Sequence, residues 1–193
     1  MTGAEALSAA LPRLVAAGVP GAARDARLLL AYAIGVPPDR LMLSLDKPLS
    51  ESEITAFWTA IAARAARQPV SQITGQRLFW GRSFRVTPDV LDPRPETETL
   101  VAAALDRKFC RVLDLGTGSG AILLSLLAER PSASGTGTDL SQAALAVAAG
   151  NADAFGLADR AAFVQSDWFA NVTGEYDLIV SNPPYIAQAE LPG

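Results

Sequence analysis

The segment Ser181-Asn182-Pro183-Pro184-Tyr185-Ile186 follows an apolar run, Leu178-Ile179-Val180. Two consecutive prolines remove two N–H donors and leave the carbonyls of Asn182 and Pro183 free as acceptors. The Asn182 side chain adds a further carbonyl oxygen. Acceptors gathered beside the Tyr185 ring form a socket for an NH₂ group. Such a socket answers a definite problem, because the nitrogen of a carboxamide or an adenine amino group has a delocalised lone pair and attacks poorly. Hydrogen bonds to both N–H atoms raise electron density on nitrogen and hold it in line with an electrophilic carbon. The proton can leave after attack, so no general base is needed beforehand. Asn-Pro-Pro alone is explained equally well as a rigid strand exit.

A second cluster points to what supplies that carbon. Val112-Leu113-Asp114-Leu115 runs directly into Gly116-Thr117-Gly118-Ser119-Gly120 and then into a helical pattern. A strand emptying into a glycine-rich turn at a helix start brings backbone N–H groups close to a ligand, with no β-carbons in the way. The spacing is G-x-G-x-G rather than the G-x-G-x-x-G that cradles a pyrophosphate. With Asp114 just before it, this turn suits a cationic or zwitterionic ligand, such as the amino-acid end of S-adenosylmethionine. For the glycines alone, a tight turn without ligand competes seriously. Asp139 ends the next strand about twenty residues on, where an acid can accept from both hydroxyls of a ribose. The third strand ends in Ser166-Asp167-Trp168-Phe169. There Asp167 can hold an adenine amino group while Trp168 covers the ring. Glycines, then an acid, then an acid with an aromatic, at three successive strand ends, favour a nucleoside cofactor.

Composition narrows the chemistry further. The 193 residues contain no histidine and one cysteine, Cys110. That excludes His-based triads, imidazole bases, His-ligated metals, Cys-rich zinc sites and intramolecular disulfides, and no metal is expected. A net charge of −4 counts against an extended nucleic-acid surface. The N-terminus lacks a charged-then-apolar leader, and no apolar run reaches the roughly 20 residues of a membrane span. No membrane association and a cytoplasmic location are expected.

The elements that must position these residues fall into three stretches. Residues 1–68 read as a helical bundle. Thr2 and Glu5 have capping-box spacing ahead of a stripe of Leu7, Leu11, Leu14 and Val15, and Ser50 and Glu53 repeat that spacing. Helices are expected over 24–34, 39–44 and 51–67. Residues 69–95 read as a hairpin, with strands at 77–80 and 83–87 around Gly81-Arg82, followed by the irregular Leu91-Asp92-Pro93-Arg94-Pro95. Residues 96–193 open with a helix over 96–106 and then alternate strand and helix, which implies a parallel sheet with crossover helices. Its strands are expected at 112–115, 136–139, 161–165 and 176–181. The second is poorly written, because Gly135 and Gly137 supply little packing.

Taken together, Asp114 to Gly120, Asp139, Asp167-Trp168 and Asn182 to Tyr185 resemble class I methyltransferases of amino groups, and most closely the release-factor glutamine methyltransferases. The resemblance extends upstream through Arg77-Leu78-Phe79-Trp80-Gly81, Phe84-Arg85-Val86-Thr87-Pro88 and Leu91 to Glu98 (LDPRPETE). It covers nearly the whole chain. It implies a Rossmann-like α/β fold with a small helical N-terminal domain and a hairpin, and methyl transfer from S-adenosylmethionine to the glutamine of the Gly-Gly-Gln motif in peptide chain release factors. By that resemblance Gly116, Thr117, Gly118, Ser119, Gly120, Asp139, Asp167 and Trp168 hold the cofactor. Asn182, Pro183, Pro184 and Tyr185 hold the glutamine amide, and Asn182 also borders the cofactor. Arg94, Glu96 and Thr97 are expected near the same cleft, though residues at a helix start can be purely structural.

Family members continue with further strands beyond the substrate motif, whereas this chain stops at Gly193. The sheet is therefore expected to hold only its first four strands, with Leu178, Ile179 and Val180 on an edge. Two other readings stay open on the residues. A nucleic-acid amino methyltransferase faces the same electronic problem with adenine N6 or guanine N2, but needs a basic groove and an extruded base. A non-catalytic cofactor-binding fragment fits the early stop. A nicotinamide dehydrogenase is disfavoured by the glycine spacing and the prolines.

Overall fold

The computed structural model describes residues 1–183, so the expectations for Pro184 and Tyr185 lie outside the described residues. Two compact units are present, Met1–Gly75 and a second beginning at Gln76. The stretch expected as a separate linker over 69–95 is thus divided between them.

The first unit is helical: α1 (Gly3–Ala16), α2 (Ala22–Ala33), a 3-10 segment (Pro38–Ser44), α3 (Glu51–Ala65) and α4 (Val70–Thr74). Both anticipated capping boxes form, with Thr2 and Glu5 satisfying each other's backbone N–H ahead of α1 and Ser50 and Glu53 doing so ahead of α3. The buried stripe of α1 is rotated from the expected one. Ala6, Ala10 and Leu14 are buried, while Leu11 and Val15 are exposed. Small residues let the helices of a bundle approach closely, so the alanines face Leu29, Leu30, Phe57 and Ile61 in the core. The short α4 was not expected from sequence, since five residues are too few to show a helical period.

The second unit opens with a hairpin of β1 (Gln76–Phe79) and β2 (Arg82–Arg85). Its turn is Trp80-Gly81, one residue earlier than expected, with φ of +47° and +71°. Left-handed backbone at both turn residues matches the right-handed twist of the strands. The Trp80 N–H donates to Glu98 Oε1 at 2.8 Å, which ties the turn to the start of the next helix. Phe79 and Phe84 meet edge to face and belong to the core of the α/β unit rather than to a linker.

After a 3-10 turn (Pro95–Thr97) come α5 (Glu98–Leu105), β3 (Arg111–Leu115), α6 (Ala121–Glu129), β4 (Ser134–Asp139), α7 (Gln142–Ala154), β5 (Ala161–Gln165) and β6 (Leu178–Ser181). The four sheet strands are all parallel in the order β5-β4-β3-β6, with Leu113 opposite both Thr136 and Ile179. Growth of the sheet reverses at β3, and ligands of such sheets bind outside the carboxyl ends of the strands near that reversal. Among the described residues β6 is an edge strand, and Ile179 on it is 52% exposed.

Helix α6 is buried from Ala121 to Leu127: Leu123, Leu124, Leu126 and Leu127 are fully buried, worth about 1.5–3 kcal/mol each relative to exposure. Beyond its end, the Arg160 guanidinium donates to the carbonyls of Leu127, Arg130 and Ala133. The glycines of β4 are required by this packing. A Cβ on Gly135 would stand 2.6 Å from Leu123 Cδ1 and 2.7 Å from Val112 Cγ1, and one on Gly137 would stand 2.8 Å from Thr117 Oγ1. These residues, weak as strand formers, let α6 and the glycine-rich turn lie directly on the sheet.

Candidate functional site

A cavity of about 420 Å³ opens at the carboxyl ends of β3, β4 and β5. Its walls come from Gly116 to Ser119 after β3, Thr138 to Leu140 around the end of β4, Ser166 to Trp168 after β5, Asp89 to Arg94, Thr97, and Asn182-Pro183 after β6. The structure therefore brings together Gly116, Thr117, Gly118, Ser119, Asp139, Asp167, Trp168, Asn182 and Pro183. Gly120 is not on the wall; it precedes α6 with φ +79°, and a Cβ there would crowd Leu124.

The glycine-rich turn is held from three sides. The Thr117 N–H donates to the Thr138 carbonyl at 2.8 Å, and the Thr117 hydroxyl donates to Asp114 Oδ2 at 2.8 Å. The Gly118 N–H donates to Asp139 Oδ2 at 3.0 Å, while Asp139 Oδ1 accepts from the Ser141 N–H. Asp139 thus braces the turn and the start of α7 while facing the cavity. Gly116 and Gly118 have φ of +71° and +55°, and a Cβ on either would project into open space. A ligand can reach this backbone without meeting a side chain.

Asp114, which precedes the turn, stands back from the cavity. It is fully buried beneath the turn and does not line the cavity. Burial pushes its carboxyl up to about 7, opposed by the Thr117 hydroxyl and reinforced by the nearby Asp139 carboxylate. Its Oδ1 has no hydrogen-bond partner among the described residues. Asp114 acts on the turn through Thr117 rather than on a ligand.

Asn151 was missed by sequence reasoning. It is 2% exposed and accepts from the Arg85 N–H while donating to the carbonyls of Arg85 and Ser119. One amide on α7 therefore ties β2, 66 residues away in the chain, to the glycine-rich turn, 32 residues away. The available signal was a polar residue on the face of α7 that Ala144, Ala148 and Ala152 bury.

At the other end of the cavity, Asn182 Nδ2 donates to Thr97 Oγ1 at 3.1 Å, so the expected approach of Thr97 to the proline motif is present. Asn182 Oδ1 keeps no partner among the described residues and remains an open acceptor. The Ser181 hydroxyl donates to the Leu115 carbonyl at 2.9 Å and fixes the exit of β6 against β3. Asp92 also lines the wall, with Oδ2 3.6 Å from Arg77 Nη1. The charged side chains of the wall are Asp89, Asp92, Asp139 and Asp167 against Arg94, a surplus of negative charge that suits a cation.

Comparison with known proteins identifies the family. The family model described as PrmC N-terminal domain matches residues 5–75, and that of the methyltransferase small domain matches residues 92–192. The release factor glutamine methyltransferase of Cereibacter sphaeroides is 62% identical over 191 residues, covering 99% of this chain and 69% of the relative. Those of Rhodospirillum rubrum and Moorella thermoacetica are 50% and 43% identical, over 93% and 100% of this chain. The chain spans 56% of the former relative's length and 70% of the latter's. A resemblance of this extent, with the glycine-rich turn, Asp139 and Asn182 on one cavity, places the chain in the family of release factor glutamine methyltransferases.

Proposed function

We propose that this chain carries the machinery for moving a methyl group from S-adenosylmethionine to the side-chain amide nitrogen of the Gly-Gly-Gln glutamine in peptide chain release factors. The observation that carries the reading is the shared cavity. The open glycine backbone, Asp139 and Trp168 lie on it together with Asn182, whose Oδ1, without a partner among the described residues, is an acceptor suited to an amide N–H.

The residues present fit the cofactor. The cradle at Gly116 and Gly118 leaves the backbone accessible where a Cβ would otherwise fill space. With Asp92 paired to Arg77, Asp89, Asp139 and Asp167 still outnumber Arg94 on the wall, which favours a ligand carrying positive charge. Gly116 to Ser119 would receive the amino-acid end, Asp139 the ribose hydroxyls, and Asp167 with Trp168 the adenine. When bound, S-adenosylmethionine would supply the methyl group and remain as S-adenosylhomocysteine, and the methylated amide nitrogen would lose its proton to solvent after attack. Asn182 Oδ1 and the Pro183 carbonyl would accept from the two N–H atoms of the glutamine amide. They orient its lone pair and stabilise the positive charge that develops on nitrogen. Thr97 holds the Asn182 amide from behind.

No described helix is long and apolar enough to cross a membrane. We place the activity in the cytoplasm with release factors as protein partners, and expect no direct nucleic-acid binding.

The test is transfer of labelled methyl from S-adenosylmethionine by this chain to an unmethylated release factor, to its Gly-Gly-Gln glutamine-to-alanine variant, and to DNA. Label on the native factor alone is expected. Label on DNA would move the function to base methylation, and no label on any acceptor would overturn activity of this chain. Asn182→Ala should slow transfer about 10²–10³-fold while leaving S-adenosylhomocysteine affinity within about 3-fold, because it removes an acceptor used by the substrate amide. Equal loss of both would sink that role.

A further inference from the structure

Trp168 combines two features that folding alone does not favour. Its φ of +47° lies in the left-handed region, which bulky side chains rarely adopt, and its side chain is 56% exposed. A strained backbone that buries little apolar surface has to be held by something else. The holder is Ser166, itself 3% exposed. Its hydroxyl donates to the Trp168 carbonyl at 2.9 Å and accepts from the Asn171 N–H at 3.0 Å, so both of its hydrogen-bonding capacities are used inside one turn. The Asn171 side chain donates back to the Gln165 carbonyl at the end of β5. The Ser166 N–H donates to the Asp139 carbonyl at 3.0 Å, so the turn is anchored on the residue whose carboxylate also braces Gly118. Ser166 and Trp168 both line the cavity.

We propose that Ser166 is a positioning residue for cofactor binding: its hydroxyl locks Trp168 in left-handed backbone, so that the indole stands as a ready-made wall for the adenine ring. The inference rests on the cofactor reading above. The conformational cost is met during folding, and the ligand finds the aromatic surface already in place. Asp139 then serves as a common anchor for the turn that takes the adenine and the turn that takes the amino-acid end.

The experiment is calorimetric titration of the full chain with S-adenosylhomocysteine, with thermal unfolding in parallel, for the wild type, Ser166→Ala, Trp168→Ala, Trp168→Gly and the Ser166→Ala/Trp168→Gly double variant. Ser166→Ala should weaken binding about 10-fold, the scale of one net hydrogen bond. Both Trp168 variants should weaken it about as much through loss of the stacking surface. The Trp168→Gly variant should melt above Trp168→Ala, reversing the usual order, because glycine adopts this φ without cost. In the Trp168→Gly background the Ser166 change should alter affinity by less than about 2-fold, since nothing strained remains to be held. An undiminished 10-fold loss in the double variant, or a Trp168→Ala variant that melts above Trp168→Gly, would overturn the inference. Should Ser166→Ala fail to fold, Ser166→Cys, which weakens both hydrogen bonds at similar volume, takes its place in the wild-type and Trp168→Gly backgrounds with the same expected and overturning results. If the wild type does not bind S-adenosylhomocysteine at all, the cofactor reading falls and takes the inference with it.

Discussion

Asp114, Asn151 and Thr97 each do their work through a neighbour. Asp114 is the clearest case, a carboxyl sealed under the glycine-rich turn with one oxygen on Thr117 and the other unpaired. Burial raises it from an ordinary 3.8 to about 7, so the folded chain keeps a proton that the unfolded chain has released. Between about pH 4 and pH 7 the folded state therefore binds more protons, and stability falls as pH rises through that window. Asp114→Asn carries no such proton and keeps an acceptor for Thr117. Urea unfolding across this range should show the wild type losing stability relative to the variant by at most about 4 kcal/mol. Parallel profiles for the two proteins would mean that Asp114 titrates normally. Asn151 and Thr97 work in the same indirect way, the first on the Ser119 carbonyl and the second on the Asn182 amide.

Among the elements, β4 is the one whose sequence least resembles its structure. Ser-Gly-Thr-Gly-Thr-Asp has poor strand propensity, yet Ser134 to Thr138 pair with β3 and Gly135 to Asp139 pair with β5. Its glycines trade intrinsic preference for proximity: Gly135 admits Leu123 and Val112, and Gly137 admits Thr117 and Phe163. Raising propensity here should harm the protein. Gly135→Ala adds a β-carbon within 2.8 Å of the Val112 carbonyl oxygen as well as of two side chains, and backbone cannot swing aside. A loss of about 1–3 kcal/mol is expected, read as a lower denaturation midpoint. A variant as stable as the wild type would show that α6 does not press on this strand as described. The same logic explains α1, where alanines rather than leucines form part of the buried face.

Across the whole molecule, the apolar interior is divided. One core lies among α1, α2 and α3 around Leu29, Leu30 and Phe57, and another lies among the hairpin, α5, α6 and the sheet. All of the cavity belongs to the second unit. Ligand binding stabilises what it touches by mass action, about 2.7 kcal/mol at a hundred times the dissociation constant. Hydrogen exchange with saturating S-adenosylhomocysteine should therefore slow at Gly116 to Ser119, Asp139 and Ser166 to Trp168. Amides of α2 and α3 around Leu30 and Ile61 should be unchanged. Protection concentrated in those helices would place the ligand elsewhere.

Much of the site was legible because its signals are local. A strand, three alternating glycines and a helix start are contiguous, and acids or aromatics at later strand ends recur at the spacing that crossovers impose. The capping boxes at Thr2 and Ser50 were legible for the same reason, since both partners lie three residues apart. Sequence by itself thus determined the alternation of elements and the placement of the glycine-rich turn, and it singled out Asn182-Pro183 as a candidate site. What it could not determine depends on pairs far apart in the chain. Asn182 meets Thr97 across 85 residues, and the order β5-β4-β3-β6 decides that they share a cavity at all. The buried face of α1, the inward Asn151 and the removal of Asp114 from the ligand's reach were likewise settled by packing. A residue's type states what it can do, but its neighbours after closure set the dielectric, the free lone pairs and the backbone strain in which it does so.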